Sequence, residues 1–178
     1  MPQDDKALLA RLCQSQVDFV IVGGVGCVLH GAPLLTYDLD VCIRLAAENL
    51  YRIEAAVKDL HARHRLAANK LPLELTDELC ARLKNLHLQT DLGRLDCLGE
   101  IEGVGDYGNV LKRSAVIPLA FGKCRVLTLE ALIEAELAAG RDKDVGAVRF
   151  LRAIKDRPKS AGRGRREKSL TNFYVNTR

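Results

Sequence analysis

The spacing of apolar residues changes repeatedly along the chain, and each change marks an element. Leu8, Leu9, Leu12 and Cys13 share one face of a helix predicted over residues 5–16. Residues 17–22 then form a short continuous apolar run, rich in β-branched and aromatic side chains, which predicts a strand. Gly23-Gly24 breaks it, residues 25–30 read as a short helix, and Gly31-Ala32-Pro33 ends that helix. The next predicted strand is 37–43. The clearest helical stripe follows at 48–63, where Leu50, Ile53, Val57 and Leu60 align on one face.

The second half continues in shorter pieces. A weaker helix is predicted at 76–84. Residues 86–90 and 94–98 alternate like strands, joined by an Asp91-Leu92-Gly93 turn. Strands are also predicted at 116–119 and 123–127 around Gly122. Thr128 suits the N-cap of a helix running to Ala139, with Glu130 in its first turn and Gly140 stopping it. A last helix is predicted over 142–154. The order of elements is that of an α/β or α+β fold, with a helical C-terminal part and no internal repeat.

Composition narrows the reading. The 178 residues suit one domain, here 1–154, and the 48% hydrophobic share is enough for a core. Aromatics are only 4% and Trp is absent, so the core rests on aliphatic residues, and stacking platforms for single-stranded bases are not expected. The net charge of +4 is uneven. Basic residues exceed acidic ones by six over 155–178, which predicts a basic, flexible tail with RNA as a conceivable partner through phosphate contacts. The rest of the chain is slightly acidic. Cys13, Cys27, Cys42, Cys80, Cys97 and Cys124 form no C-x-x-C pair and several sit among apolar neighbours, which predicts reduced core thiols. The first six residues are polar, and the longest apolar run, 19–29, is broken by three glycines. These features predict a cytoplasmic protein with no membrane partner.

Candidate chemistry lies in Thr36-Tyr37-Asp38-Leu39-Asp40-Val41. Aspartate is depleted in strands, yet two occur here in an apolar run. On a strand, Asp38 and Asp40 share one face about 7 Å apart while Leu39 and Val41 take the other. Such a pair suits Mg²⁺, which prefers oxygen ligands and is held by one or two carboxylates together with substrate phosphates. Two solvated loop aspartates would give the same sequence. Asp96 in Arg94-Leu95-Asp96-Cys97-Leu98 is the third candidate; Asp91 is explained by its turn. Gly23-Gly24 follows an apolar strand and opens a helix, where backbone N–H groups approach an anion closely. The pattern of a P-loop is absent, and so is a dinucleotide fingerprint in its proper context. His61 and His64 are predicted near the end of the long helix among arginines, which opposes a cation there. His30 is expected to pack or cap.

Taken together, Gly23-Gly24, thirteen intervening residues and Asp38-Leu39-Asp40-Val41 resemble the signature of the polymerase-β-like nucleotidyltransferase superfamily. The stretch from Val22 to Asp40 resembles its small bacterial branch, which includes antibiotic nucleotidyltransferases and AbiEii-type toxins of toxin–antitoxin systems. Gly93-Arg94-Leu95-Asp96 resembles the third-carboxylate strand. Residues 126–133 with Lys143-Asp144 resemble the helical segment after it. Two positions depart from the family pattern: Leu34 and Leu35 stand where many relatives have a basic residue, and Gly24 stands where many antibiotic-modifying members have Ser.

The resemblance implies a mixed β-sheet flanked by helices. It also implies an enzyme that transfers a nucleoside monophosphate from a nucleoside triphosphate, ATP foremost, to a hydroxyl on a small molecule, a tRNA end or a protein. Asp38, Asp40 and Asp96 would hold Mg²⁺, in a two-metal site, with Asp96 also helping to deprotonate the acceptor. Gly23, Gly24 and Lys143 would contact the nucleotide. An antitoxin protein is a conceivable partner. The alternative is a nucleotidyltransferase-fold module that binds or regulates without catalysis.

Overall fold

The computed structural model describes residues 3–140 and 142–156, the side chains of 142–145 excepted. The predicted flexible tail therefore lies outside the described residues, apart from its first two positions. Helix α1 (Asp5–Gln14) leads into strand β1 (Phe19–Ile21), helix α2 (Gly23–Leu29) and strand β2 (Leu39–Ile43). Helix α3 (Ala47–Ala56), strand β3 (Arg63–His64), helix α4 (Asp77–Cys80), and strands β4 (Asn85–Thr90) and β5 (Gly93–Leu98) follow. The chain continues through β6 (Glu100–Ile101), β7 (Gly105–Asp106), α5 (Tyr107–Lys112), β8 (Ser114–Leu119), β9 (Gly122–Leu127), α6 (Leu129–Ala139) and α7 (Asp142–Lys155).

Seven strands form one mixed sheet in the order β3-β4-β5-β2-β1-β9-β8. The β2–β5 and β1–β9 pairs are parallel and the other pairs antiparallel. Alternation along the strands divides the apolar residues between two clusters. Leu39, Val41, Leu86, Leu88, Leu95 and Cys97 join Leu8, Leu12, Leu50 and Ile53 of α1 and α3 in one. Val20, Val22, Cys42 and Leu127 join Leu132 and Leu151 of α6 and α7 in the other. On this second face the buried cluster stops at β2. The polar positions of β5 and β4 carry no helix of that cluster, and this open half-face is where the acidic residues lie.

Local chemistry sets the element ends. Asp4 caps α1 by accepting from the Ala7 amide, and Thr128 caps α6 by accepting from that of Ala131. Gly140 closes α6 in the left-handed conformation, φ 59°, as its position predicts. The helix predicted over 48–63 stops at Ala56 instead. Val57 and Leu60 stay buried, so the stripe persists although the backbone has turned. The turn is needed to bring Arg63 and His64 to the edge of β4. Strands β3, β6, β7 and helix α5 have no clear signal in the apolar pattern, being two to six residues long and rich in glycine or charge.

Asn49 fastens α3 to the sheet. It is fully buried, its carbonyl accepts from the Asp18 amide at 2.7 Å, and its amide donates to the Asp18 and Arg44 carbonyls at 3.1 and 2.9 Å. All six cysteines are free thiols, five of them buried. No helix among the described residues is long and apolar enough to cross a membrane. Replacing Asn49 by Ala strands the Asp18 amide, while the Asp18 and Arg44 carbonyls keep the amides of Arg44 and Ala46. Urea unfolding of Asn49→Ala is therefore expected to show a loss of about 1–3 kcal/mol.

Candidate active site

Parallel pairing sets Asp40 of β2 against Asp96 of β5, and antiparallel pairing sets Asp96 against His87 of β4. Paired residues share a face, so the three polar side chains form a row across the open half of the sheet. Asp38 arrives differently from the expectation. The strand begins at Leu39, and Asp38 sits in the bend before it. The cause is Thr36, whose hydroxyl donates to the Asp38 carbonyl at 2.7 Å and so competes with a strand ladder. The bend still delivers the side chain to the row. One carboxylate oxygen from each of Asp38, Asp40 and Asp96 lies within 4.8 Å of the others. Among the described residues this is the one group of three or more side chains spaced to hold a metal ion.

Asp96 is the buried member, and it carries a partner the sequence reading missed. Arg65 Nη2 donates to Asp96 Oδ1 at 2.7 Å and to Oδ2 at 2.5 Å. Arg65 is placed by its own backbone amide, which donates to the His87 carbonyl at 2.8 Å. His87 Nδ1 lies 3.2 Å from Asp96 Oδ1 without the alignment of a hydrogen bond. Arg65 Nε and His87 Nδ1 are both buried without a hydrogen-bond partner among the described residues. The alternation of Asn85, His87 and Gln89 with apolar residues marks His87 as a residue of the polar face. Arg65 has no comparable signal, because it acts from beyond the end of a two-residue edge strand.

Gly23 opens α2 directly against this row. Its φ is +55°, and a Cβ built there would fall 2.3 Å from Asp40 Oδ2. A Cβ on Gly24 would lie 3.0 Å from the Thr36 side chain. Gly23 is thus favoured by close approach and by its backbone conformation, and Gly24 packs tightly against Thr36. A cleft of about 310 Å³ opens here, lined by Gly23, Asp40, Glu100, Glu102 and Glu136 among others. A second, of about 690 Å³, is lined by Thr36, Tyr37, Gln89 and Arg94. The first of these clefts reaches Asp40 itself.

Other candidates are placed elsewhere. Lys143 lies in the first turn of α7, and its side chain is outside the described residues. His30 Nε2 donates to the Leu127 carbonyl at 2.8 Å, a packing role as expected. His61 and His64 follow α3 rather than sitting on it, and His61 Nδ1 meets Asp91 Oδ2 at 2.6 Å. Cys97 is fully buried; burial first, then the Asp96 and Asp40 carboxylates, push its thiol well above the usual range. Cys42 is pushed up to about 12 by burial and by Asp106. Neither is a competent nucleophile at neutral pH.

No protein-family model matches the sequence, and no curated protein sequence matches it. Solved structures do. A protein of Thermotoga maritima assigned as a nucleotidyltransferase aligns with a TM-score of 0.52 at 21% identity, over 84% of this chain and 89% of that one. The crystal structure of ANT(2'')-Ia with adenylyl-2''-tobramycin aligns with a TM-score of 0.52 at 16% identity, over 83% and 88%. The solution structure of the antibiotic-resistance factor ANT(2'')-Ia aligns at 0.54 and 15%, over 83% and 80%. The chain shares the fold of these nucleotidyltransferase structures.

The two glycine environments give a test with opposite signs. Gly23→Ala forces a strained left-handed alanine into Asp40 and is expected to lower stability by at least about 1–2 kcal/mol. Gly146→Ala, in α7 with nothing near its added carbon, is expected to raise stability by up to about 1 kcal/mol. Urea denaturation of both variants measures the difference.

Proposed function

We propose that this protein is a Mg²⁺-dependent nucleotidyltransferase that moves a nucleoside monophosphate from a nucleoside triphosphate, ATP foremost, to a hydroxyl acceptor. The observation that carries the reading is the convergence of Asp38, Asp40 and Asp96 beside the Gly23 turn, on a sheet face left open. The donor set is all carboxylate oxygen, which suits Mg²⁺ and not a softer metal. Asp38 and Asp40 would hold the cation, with Asp96 next to it. When bound, Mg²⁺ would neutralise triphosphate charge and stabilise the charge that develops at phosphorus.

The chain's own residues supply the rest. The amides at Gly23 and Gly24 approach the phosphates closely because no Cβ intervenes. Glu100, Glu102 and Glu136 make the adjoining cleft acidic, so a triphosphate enters it only with its charge compensated. Asp96 accepts the proton of the acceptor hydroxyl as its oxygen bonds to the α-phosphorus, and the bond to pyrophosphate breaks. Asp96 is well suited to that task, being anchored on a rigid strand rather than a loop. The second reading, a binding or regulatory module without catalysis, is favoured by one observation: Arg65 occupies both Asp96 oxygens.

Transfer of label from each α-³²P nucleoside triphosphate, with Mg²⁺ and a panel of hydroxyl acceptors, separates the two. The catalytic reading expects transfer by the wild type, and a fall of at least about 10²-fold in Asp40→Asn, in line with the loss of a transition-state electrostatic contact. Equal labelling by wild type and Asp40→Asn would leave only the module.

A further inference from the structure

Two of the six free thiols stand in direct contact, and one of them reaches solvent. Cys13, in the last turn of α1, is partly exposed, whereas the other five cysteines are buried. Its Sγ lies 3.2 Å from that of Cys124 in β9, 111 positions further along the chain. That is about 1.2 Å longer than an S–S bond, a gap within the swing of the two side chains. Both cysteines belong to the apolar cluster on the face of the sheet opposite the acidic row.

The two sulfurs differ in reactivity. When Cys13 ionises, the Cys124 S–H donates to it, which holds the Cys13 thiol below the usual cysteine range while burial opposes. Cys124 is pushed upward, first by the same hydrogen bond and then by burial. The accessible sulfur is therefore also the one that ionises first, and the thiolate is the form that oxidants attack.

We propose that Cys13 and Cys124 form a peroxide-reactive pair that closes to an intramolecular disulfide, Cys13 being oxidised first and Cys124 resolving it. The Cys13 thiolate attacks one oxygen of hydrogen peroxide, the O–O bond breaks, and the departing hydroxide takes the thiol proton as water. Cys13 is left as a sulfenic acid. Its oxidation removes the hydrogen bond that held the Cys124 proton. The Cys124 sulfur then attacks the Cys13 sulfur, the S–S bond forms and the S–O bond breaks. Hydroxide leaves with the Cys124 proton as a second water. Two thiols give up two electrons, and one peroxide becomes two waters. The bridge ties the end of α1 to β9, and such a long closed loop restricts the unfolded chain. None of this depends on what the acidic row does.

The full chain, reduced and then treated with hydrogen peroxide, tests the pair by alkylation, thiol counting and peptide mapping without reduction. The wild type is expected to lose two of its six thiols and to yield one cross-linked peptide joining Cys13 to Cys124. Its thermal midpoint is expected to rise by at least about 5 °C on oxidation and to return with dithiothreitol. Cys13→Ser is expected to slow thiol loss at least about tenfold, because every remaining thiol is buried. Cys124→Ser is expected to stop at the sulfenic acid, trapped on Cys13 by dimedone. Circular dichroism confirms that both variants are folded.

Six thiols retained by the wild type would overturn the proposal, and so would a cross-link between other cysteines or between two chains. A lower midpoint after oxidation would overturn it as well, since the bond would then form only by distorting the fold. Unslowed thiol loss in folded Cys13→Ser would remove Cys13 from the first step.

Discussion

The parallel pairing of β2 with β5 is the constraint on which the site depends. It sets Asp40 opposite Asp96, an arrangement that like charge opposes. What holds it is the other face of the same two strands. Leu39, Val41, Leu95 and Cys97 are all fully buried there, against α1 and α3. A slip of one residue would turn these side chains out and the aspartates into the core. The hydrophobic face therefore fixes the register, and the register imposes the acidic row.

The surroundings convert that row into a place where chemistry is possible. Helices α6 and α7 cover the β1–β9 side of the second face but stop short of β5 and β4. Asp40 and Asp96 are thus anchored on strands, and Asp40 lines an open cleft. Gly23 meets Asp40 so closely that no side chain fits between backbone and carboxylate. Arg65 comes from the sheet edge and pairs with Asp96, the innermost acid.

Much of this was legible in the sequence where a residue breaks a local rule. Aspartates inside an apolar run and a glycine pair after a strand pointed to residues that the fold brings together, and Thr128 and Gly140 marked the ends of α6. The reading fell short where geometry comes from distant parts of the chain. Leu60 continues the helical stripe because it is buried, not because it is helical. Strand β3 is two residues long and exists only through β4. Arg65 has nothing in its neighbourhood to announce a contact with Asp96, 31 positions away. Asp38 was assigned to the strand because periodicity cannot register a threonine that turns the backbone just before it.

The most direct test is anomalous diffraction at the manganese edge from crystals grown with Mn²⁺ and a non-hydrolysable ATP analogue. The account predicts a manganese peak bounded by the carboxylates of Asp38 and Asp40, with the triphosphate against the backbone of Gly23 and Gly24. A well-ordered nucleotide seated away from that turn, with no manganese between those carboxylates, would contradict it.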